Sequence, residues 1–136
     1  MENFILISDP QVRGKLYNFI IYTLLFSILI RTIVLGFFLL AGGSSVANSI
    51  LYDPLHHYQY GIIIIILALI FKKLLKNKFL IILAIGTSLI FEEYTILFND
   101  LNIKLPYFYL SSIDNISFCV FAAISLIFVL FLRSRK

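Results

Sequence analysis

Four apolar runs separated by short polar links take up most of this chain, at about 16–40, 54–72, 79–98 and 113–132. A helix that crosses a bilayer needs about 20 apolar residues, with a range of roughly 17–25. In lipid there is no water to bond the backbone, so each run must satisfy its own N–H and C=O groups, which only a helix does within one segment. The sequence therefore predicts an all-α integral membrane bundle of four transmembrane helices, a single domain over residues 1–136. The composition agrees: 61% of residues are hydrophobic and 13% charged, against about 45–50% apolar and 25% charged in ordinary globular chains. A soluble domain of this size could not cover that much apolar surface.

The second run is the short one. It reaches spanning length if its helix begins near Pro54, whose fixed φ suits a first helical turn, with Asp53 as the N-cap. The first run is followed by the small residues "AGGSSVANS", as a cleaved leader would be. It is too long for a leader's apolar core and is interrupted by Arg31, so it reads as a retained span.

The basic residues set an orientation. Arg13 and Lys15 precede the first span, Lys72, Lys73, Lys76 and Lys78 fill the link between the second and third, and Arg133, Arg135 and Lys136 close the chain. With four passes all nine fall on one side, and only Lys104 falls on the other. Excess Lys and Arg mark the cytoplasmic side, so the expectation is a cytoplasmic-membrane protein with both termini inside. The net charge of +4 belongs to this pattern. No basic amphipathic or aromatic-interleaved surface accompanies it, so nucleic acid is excluded as a partner. Tyr52, Tyr58, Tyr60, Tyr94, Tyr107 and Tyr109 gather at the outer ends of the spans, where a phenol keeps its ring in lipid and its hydroxyl wet. The one cysteine, Cys119, can form neither an intrachain disulfide nor a zinc site and reads as a small filler. Gly42-Gly43-Ser44-Ser45 lacks the Lys-Ser/Thr of a phosphate loop. Ser44, Ser111 and Ser112 lack the frame of a nucleophile.

The chemistry is concentrated at one height. Counted at 1.5 Å per residue from the inner links, His57 lies about 22 Å up, Glu92 about 21 Å and Arg31 about 24 Å. The hydrocarbon core is about 30 Å thick, so three spans bring ionisable groups to one level in the outer third. Asp114 lies a little higher on the fourth span. Each charge at a helix centre costs about 2.5–3.5 kcal/mol on insertion scales, a cost that falls if the groups neutralise one another. The expected site is therefore a buried polar cluster of Arg31, His57, Glu92 and Glu93, with His56 and Asp114 at its rim. Ala84, Ser88 and Glu92 share one face of the third span, and His57, Gly61 and Ala68 share one face of the second. Small residues allow close approach of membrane helices, so these two faces are expected to pack together and His57 to meet Glu92. Glu93 points about 100° away, toward Arg31 or Asp114.

A bridge from Arg31 to Glu92 or Glu93 would fix helix register. His57 and Glu92, with His56 and Glu93 beside them, form a candidate ligand set for a divalent metal. Two adjacent histidines diverge by about 100° on a helix, so one imidazole with carboxylates of the next span is the better geometry. Three roles follow from these residues. The first is a binding or structural role within a homo-oligomer or larger membrane complex. The second is a proton- or cation-coupled carrier working through the His–Glu pair, against which stand the absence of an inverted repeat and of charged steps in the inner half of the spans. The third is a metal-dependent membrane enzyme of hydrolase type.

The segment "HHYQYG" (His56 to Gly61), followed by an apolar span, a basic turn and "IGTSLIFEEY" (Ile85 to Tyr94), resembles small uncharacterised prokaryotic multi-pass membrane proteins whose helix starts H-H-x-x-Y-G. The resemblance covers about a third of the chain. It implies that His56, His57, Glu92 and Glu93 belong together, and brings no activity with it.

Overall fold

The computed structural model describes residues 9–40, 56–103 and 111–134, and every element among them is helical. Helix α1 runs Pro10–Leu40, α2 His57–Ile70, α3 Phe79–Glu92, α4 Tyr94–Asp100 and α5 Ser112–Ser134. A single turn, Lys72–Leu75, and a 3-10 turn, Lys76–Lys78, link α2 to α3. Three stretches are long and apolar enough to cross a membrane: Pro10–Phe37, Lys72–Glu92 and Ser112–Ser134.

The helix ends are set by local chemistry. α1 begins two turns before the expected boundary because Asp9 caps it. The Asp9 carboxylate accepts from Gln11 N at 2.8 Å, and Pro10 takes the first helical position, where a missing N–H costs nothing. α2 is a correction to the sequence reading. Its 14 residues extend about 21 Å, short of a full hydrocarbon core, and Asp53 and Pro54 lie outside the described residues. The third run is divided at Glu93, whose φ of −112° and ψ of 26° separate α3 from α4. α4 closes on Asn102 at φ 59°. Ile103 N bonds to Phe98 O and Asn102 N to Asn99 O, which is the Schellman arrangement with asparagine in its left-handed position.

α3 is the central helix, with α1 on one side and α2 on the other. Against α2 the backbones meet at glycine. A Cβ on Gly61 would lie 2.6 Å from the Gly86 carbonyl oxygen, and one on Gly86 2.9 Å from the Gly61 oxygen and 2.8 Å from Ile65. Against α1 the contact is a stripe of small polar groups. Thr23, Ser27 and Arg31 recur at every fourth residue and are buried, as are Ala84, Ser88 and Glu92 on α3. Ser88 Oγ reaches Thr23 O across the interface at 2.9 Å and Ala84 O in its own helix at 2.7 Å. This changes the expected pairing. The Ala84–Ser88–Glu92 face packs on α1, and the Gly86 face, nearly opposite, receives α2. α5 runs antiparallel to α1, and reaches α3 through the stacked rings of Phe91 and Phe121, 4.2 Å apart. Cys119 is exposed on α5.

Gly61→Ala or Gly86→Ala is expected to lower stability by about 1–3 kcal/mol, the usual cost of overpacking, read as a fall in the thermal unfolding midpoint in detergent. Gly36→Ala is the control. Nothing lies within 4 Å of a Cβ there, so the helix-propensity gain of up to about 1 kcal/mol is expected instead.

Candidate functional site

The site is built around Arg31, whose guanidinium gathers acceptors from two other helices. Nη1 donates to Glu92 Oε1 at 3.2 Å and to the Glu92 carbonyl at 3.4 Å. Nη2 donates to Asp114 Oδ2, and to Asn115 Oδ1 at 2.8 Å. Nε donates to the same asparagine oxygen at 3.2 Å. The cation also lies 5.3 Å from the centre of the Phe118 ring, within cation–π range. Arg31 is 4% exposed, and Glu92 and Asp114 are at 0%. Asp114 is held by the start of α5, where its N–H donates to Ser111 Oγ at 3.2 Å, as in a serine N-cap. A planar fork of five donors is what lets one side chain hold three partners at once.

Glu93 serves the other neighbour. Its Oε2 accepts from the backbone N–H of Tyr58 at 3.1 Å. His56, the N-cap residue of α2, makes no side-chain cap, so the Glu93 carboxylate satisfies one of the open donors and complements the positive end of the helix. Tyr58 is itself buried, and its hydroxyl donates to Asp100 Oδ2. The start of α2 is thus tied to both ends of α4.

Between these two arrangements lies His57. Its Nδ1 is 3.7 Å from Glu92 Oε2 and 3.7 Å from Glu93 Oε1. One ligand atom from each of the three residues lies within 4.8 Å of the others. Glu92 therefore faces two ways, with Oε1 on Arg31 and Oε2 toward the imidazole. The His57 side chain is 45% exposed, while the carboxylates it faces are buried. With its carboxylates ionised and His57 neutral, the cluster of Arg31, Glu92, Glu93 and Asp114 carries two more negative than positive charges.

Of the residues singled out in the sequence, the structure brings together Arg31, Glu92 and Asp114 in one group and His57, Glu92 and Glu93 in the next. Two placements differ from expectation. Arg31 bridges to Glu92, one of the two expected partners, but Glu93, expected to face Arg31 or Asp114, turns to α2, because the Gly86 face that carries Glu93 is the one packed on α2. Asp114 lies inside, not at the rim. His56 stays half-buried beside the cluster, its ring stacked on Tyr58 with centroids 5.9 Å apart. The sequence reading missed Asn115 and Phe118, which complete the shell of Arg31, and the Tyr58–Asp100 and Tyr94–Ser117 hydroxyl contacts, the latter at 2.6 Å. Phe118 lies four positions from Asp114, so the helix period alone puts it on the same side of α5, whereas Asn115, one position on and rotated by about 100°, is brought in by the width of the guanidinium fork. Gly42 to Ser45 and Ser44 lie outside the described residues. No family model, curated protein or solved structure matches the chain.

Proposed function

We propose that this is a four-pass protein of the cytoplasmic membrane, with both termini inside, that binds a divalent metal ion through His57, Glu92 and Glu93 at the level of the outer leaflet. The observation that carries this reading is the spacing of those three ligand atoms. At 3.7 Å from each carboxylate, the imidazole nitrogen is beyond normal hydrogen-bond range. Two ligands each about 2.1 Å from a tetrahedral ion are about 3.4 Å apart, close to the two His57–carboxylate separations, and all three ligand atoms lie within 4.8 Å of one another. With all three carboxylates ionised, a divalent cation would also cancel the surplus of two negative charges. Imidazole with carboxylate oxygen suits zinc, manganese or ferrous iron. Arg31 acts as the outer partner that fixes the carboxylate of Glu92 and directs its second oxygen at the ion. The basic link Lys72–Lys78 keeps the inner end of α2 in the cytoplasm.

Three protein ligands leave a position for water or a ligand group, so the metal site serves binding within a membrane complex and is also compatible with hydrolytic chemistry. The competing way to neutralise the surplus is protonation, the property of a proton-coupled carrier. Metal analysis of detergent-purified protein decides between them. The expected result is about one equivalent of metal per chain, lost in both His57→Ala and Glu93→Gln while each variant still purifies as a folded protein. A metal-free protein after loading with zinc, manganese and iron overturns the reading. Reporter fusions at each link test the topology independently. Glu92→Gln is expected to lose metal as well, but with a fall in stability because Arg31 loses an ionic partner.

A further inference from the structure

One line of ionisable groups joins the four long helices. Asp114 of α5 accepts from Nη2 of Arg31 on α1. Nη1 of the same guanidinium donates to Glu92 Oε1 on α3 at 3.2 Å. The second oxygen of that carboxylate lies 3.7 Å from His57 Nδ1 on α2. Acid, base and acid thus alternate up to the imidazole. The side chains of Glu92 and Asp114 are at 0% exposure and that of Arg31 at 5%. Salt screens charges buried in this way far less than charges in solvent, and the lower dielectric strengthens their interaction. A change of charge at Asp114 is therefore felt at Glu92.

The signs fix the direction of that coupling. A dication on Glu92 Oε2 is repelled by the guanidinium on Oε1, and the Asp114 carboxylate offsets the repulsion from the far side. Geometry acts in the same sense. Nη2 is also held by Asn115 Oδ1 at 2.8 Å, and Nε by the same oxygen at 3.2 Å. The guanidinium is a rigid plane, so fixing Nη2 fixes Nη1, and with it the Glu92 carboxylate. The backbone of Asp114 has a separate task. Its N–H donates to Ser111 Oγ at 3.2 Å, a bond that a side-chain substitution leaves in place.

Resting on the metal site proposed above, we infer that Asp114 is a positioning residue for it. From α5, and outside the three-residue ligand group, its carboxylate raises the metal affinity of His57, Glu92 and Glu93 by holding Arg31 and offsetting part of its charge. Partners that orient metal ligands from behind are worth about 10–100-fold in affinity. Asp114 acts one step further back, through the guanidinium, so its effect belongs at the lower end of that range.

The test is competition for zinc between the full chain in detergent and a chromogenic chelator, read as a dissociation constant. Asp114→Asn keeps the shape and an acceptor oxygen, and is expected to bind zinc roughly tenfold more weakly than the native chain. Asp114→Asn/Asn115→Asp moves the carboxylate one residue along, to a position whose oxygen already accepts from Nη2 and Nε. It is expected to recover most of the affinity, a rescue that a merely structural role for Asp114 does not produce. Asn115→Asp alone adds a carboxylate to the guanidinium and is expected to bind more tightly than the native chain. That variant keeps the test decisive should Asp114→Asn fail to accumulate. Equal dissociation constants for the native chain and Asp114→Asn overturn the role of Asp114 and leave the metal site standing. The same holds for a charge-moved double variant as weak as Asp114→Asn, or for no tightening in Asn115→Asp. A native chain that takes up no zinc, manganese or iron overturns the metal site and this role together, so the two failures are distinguishable.

Discussion

Arg31→Met is expected to cost about 3–5 kcal/mol and to prevent the protein from accumulating in the membrane. The reason is the asymmetry of buried ion pairs. Making one gives little net stability, but removing one partner strands the other without solvation. Here a single substitution strands two carboxylates, Glu92 and Asp114, both at 0% exposure, and removes the donors on Asn115. Total stabilities run at about 5–15 kcal/mol, so such a loss is a large fraction of what holds the fold. Arg31→Lys is expected to recover only part, because an ammonium is a point charge that cannot fork between α3 and α5. The informative variant is Arg31→Met/Glu92→Gln/Asp114→Asn. Removing charge on both sides abolishes the stranded groups, and the triple variant is expected to accumulate better than Arg31→Met alone. Membrane-fraction yield and the unfolding midpoint in detergent read both effects. A single Arg31→Met variant with native yield and midpoint would show that the carboxylates are neutralised by something other than this guanidinium.

Much of this arrangement could be read from the chain, and the parts that could not have identifiable causes. Height was legible. Arg31, His57 and Glu92 could be placed at one level by counting residues from the basic links, because the rise of a helix is constant whatever its neighbours are. Direction was harder. Whether Glu92 or Glu93 faces Arg31 depends on which face of α3 takes α1, and both faces carry small residues: Ala84 and Ser88 on one, Gly86 on the other. Nothing local ranks them. The deciding fact is that Gly61 and Gly86 meet backbone to backbone, a long-range pairing. The length of the second helix was illegible for another reason. The run Ile62 to Ile66 is apolar on all sides, so it has no period to mark where packing begins, and its start is set by Glu93 from another helix at the Tyr58 amide. Asp114 was placed too far out because its depth depends on the Ser111 cap and on the reach of Arg31, neither of which is a property of the fourth run alone.

The second large effect is stabilisation by metal. Zinc or manganese at a hundred times its dissociation constant is expected to stabilise the folded protein by about 2.7 kcal/mol, and at a thousand times by about 4.1 kcal/mol, seen as a midpoint that rises with metal and falls on adding a chelator. The variants separate the ligand role from the structural one. The His57 side chain is 45% exposed, so His57→Ala is expected to match the native midpoint in chelator and to lose the rise with metal. Glu93→Gln removes a ligand and also weakens the carboxylate cap on α2. Its midpoint in chelator is expected to be lower already, by the roughly 1 kcal/mol that an N-cap is worth, and it too loses the rise. His56→Ala, lying outside the three-residue group, is expected to keep the metal response. The pattern matters more than any one value. If His57→Ala and Glu93→Gln both show native midpoints in chelator and an undiminished rise with metal, the ion binds elsewhere, and the group at the α2 start is a cap and a register pin only.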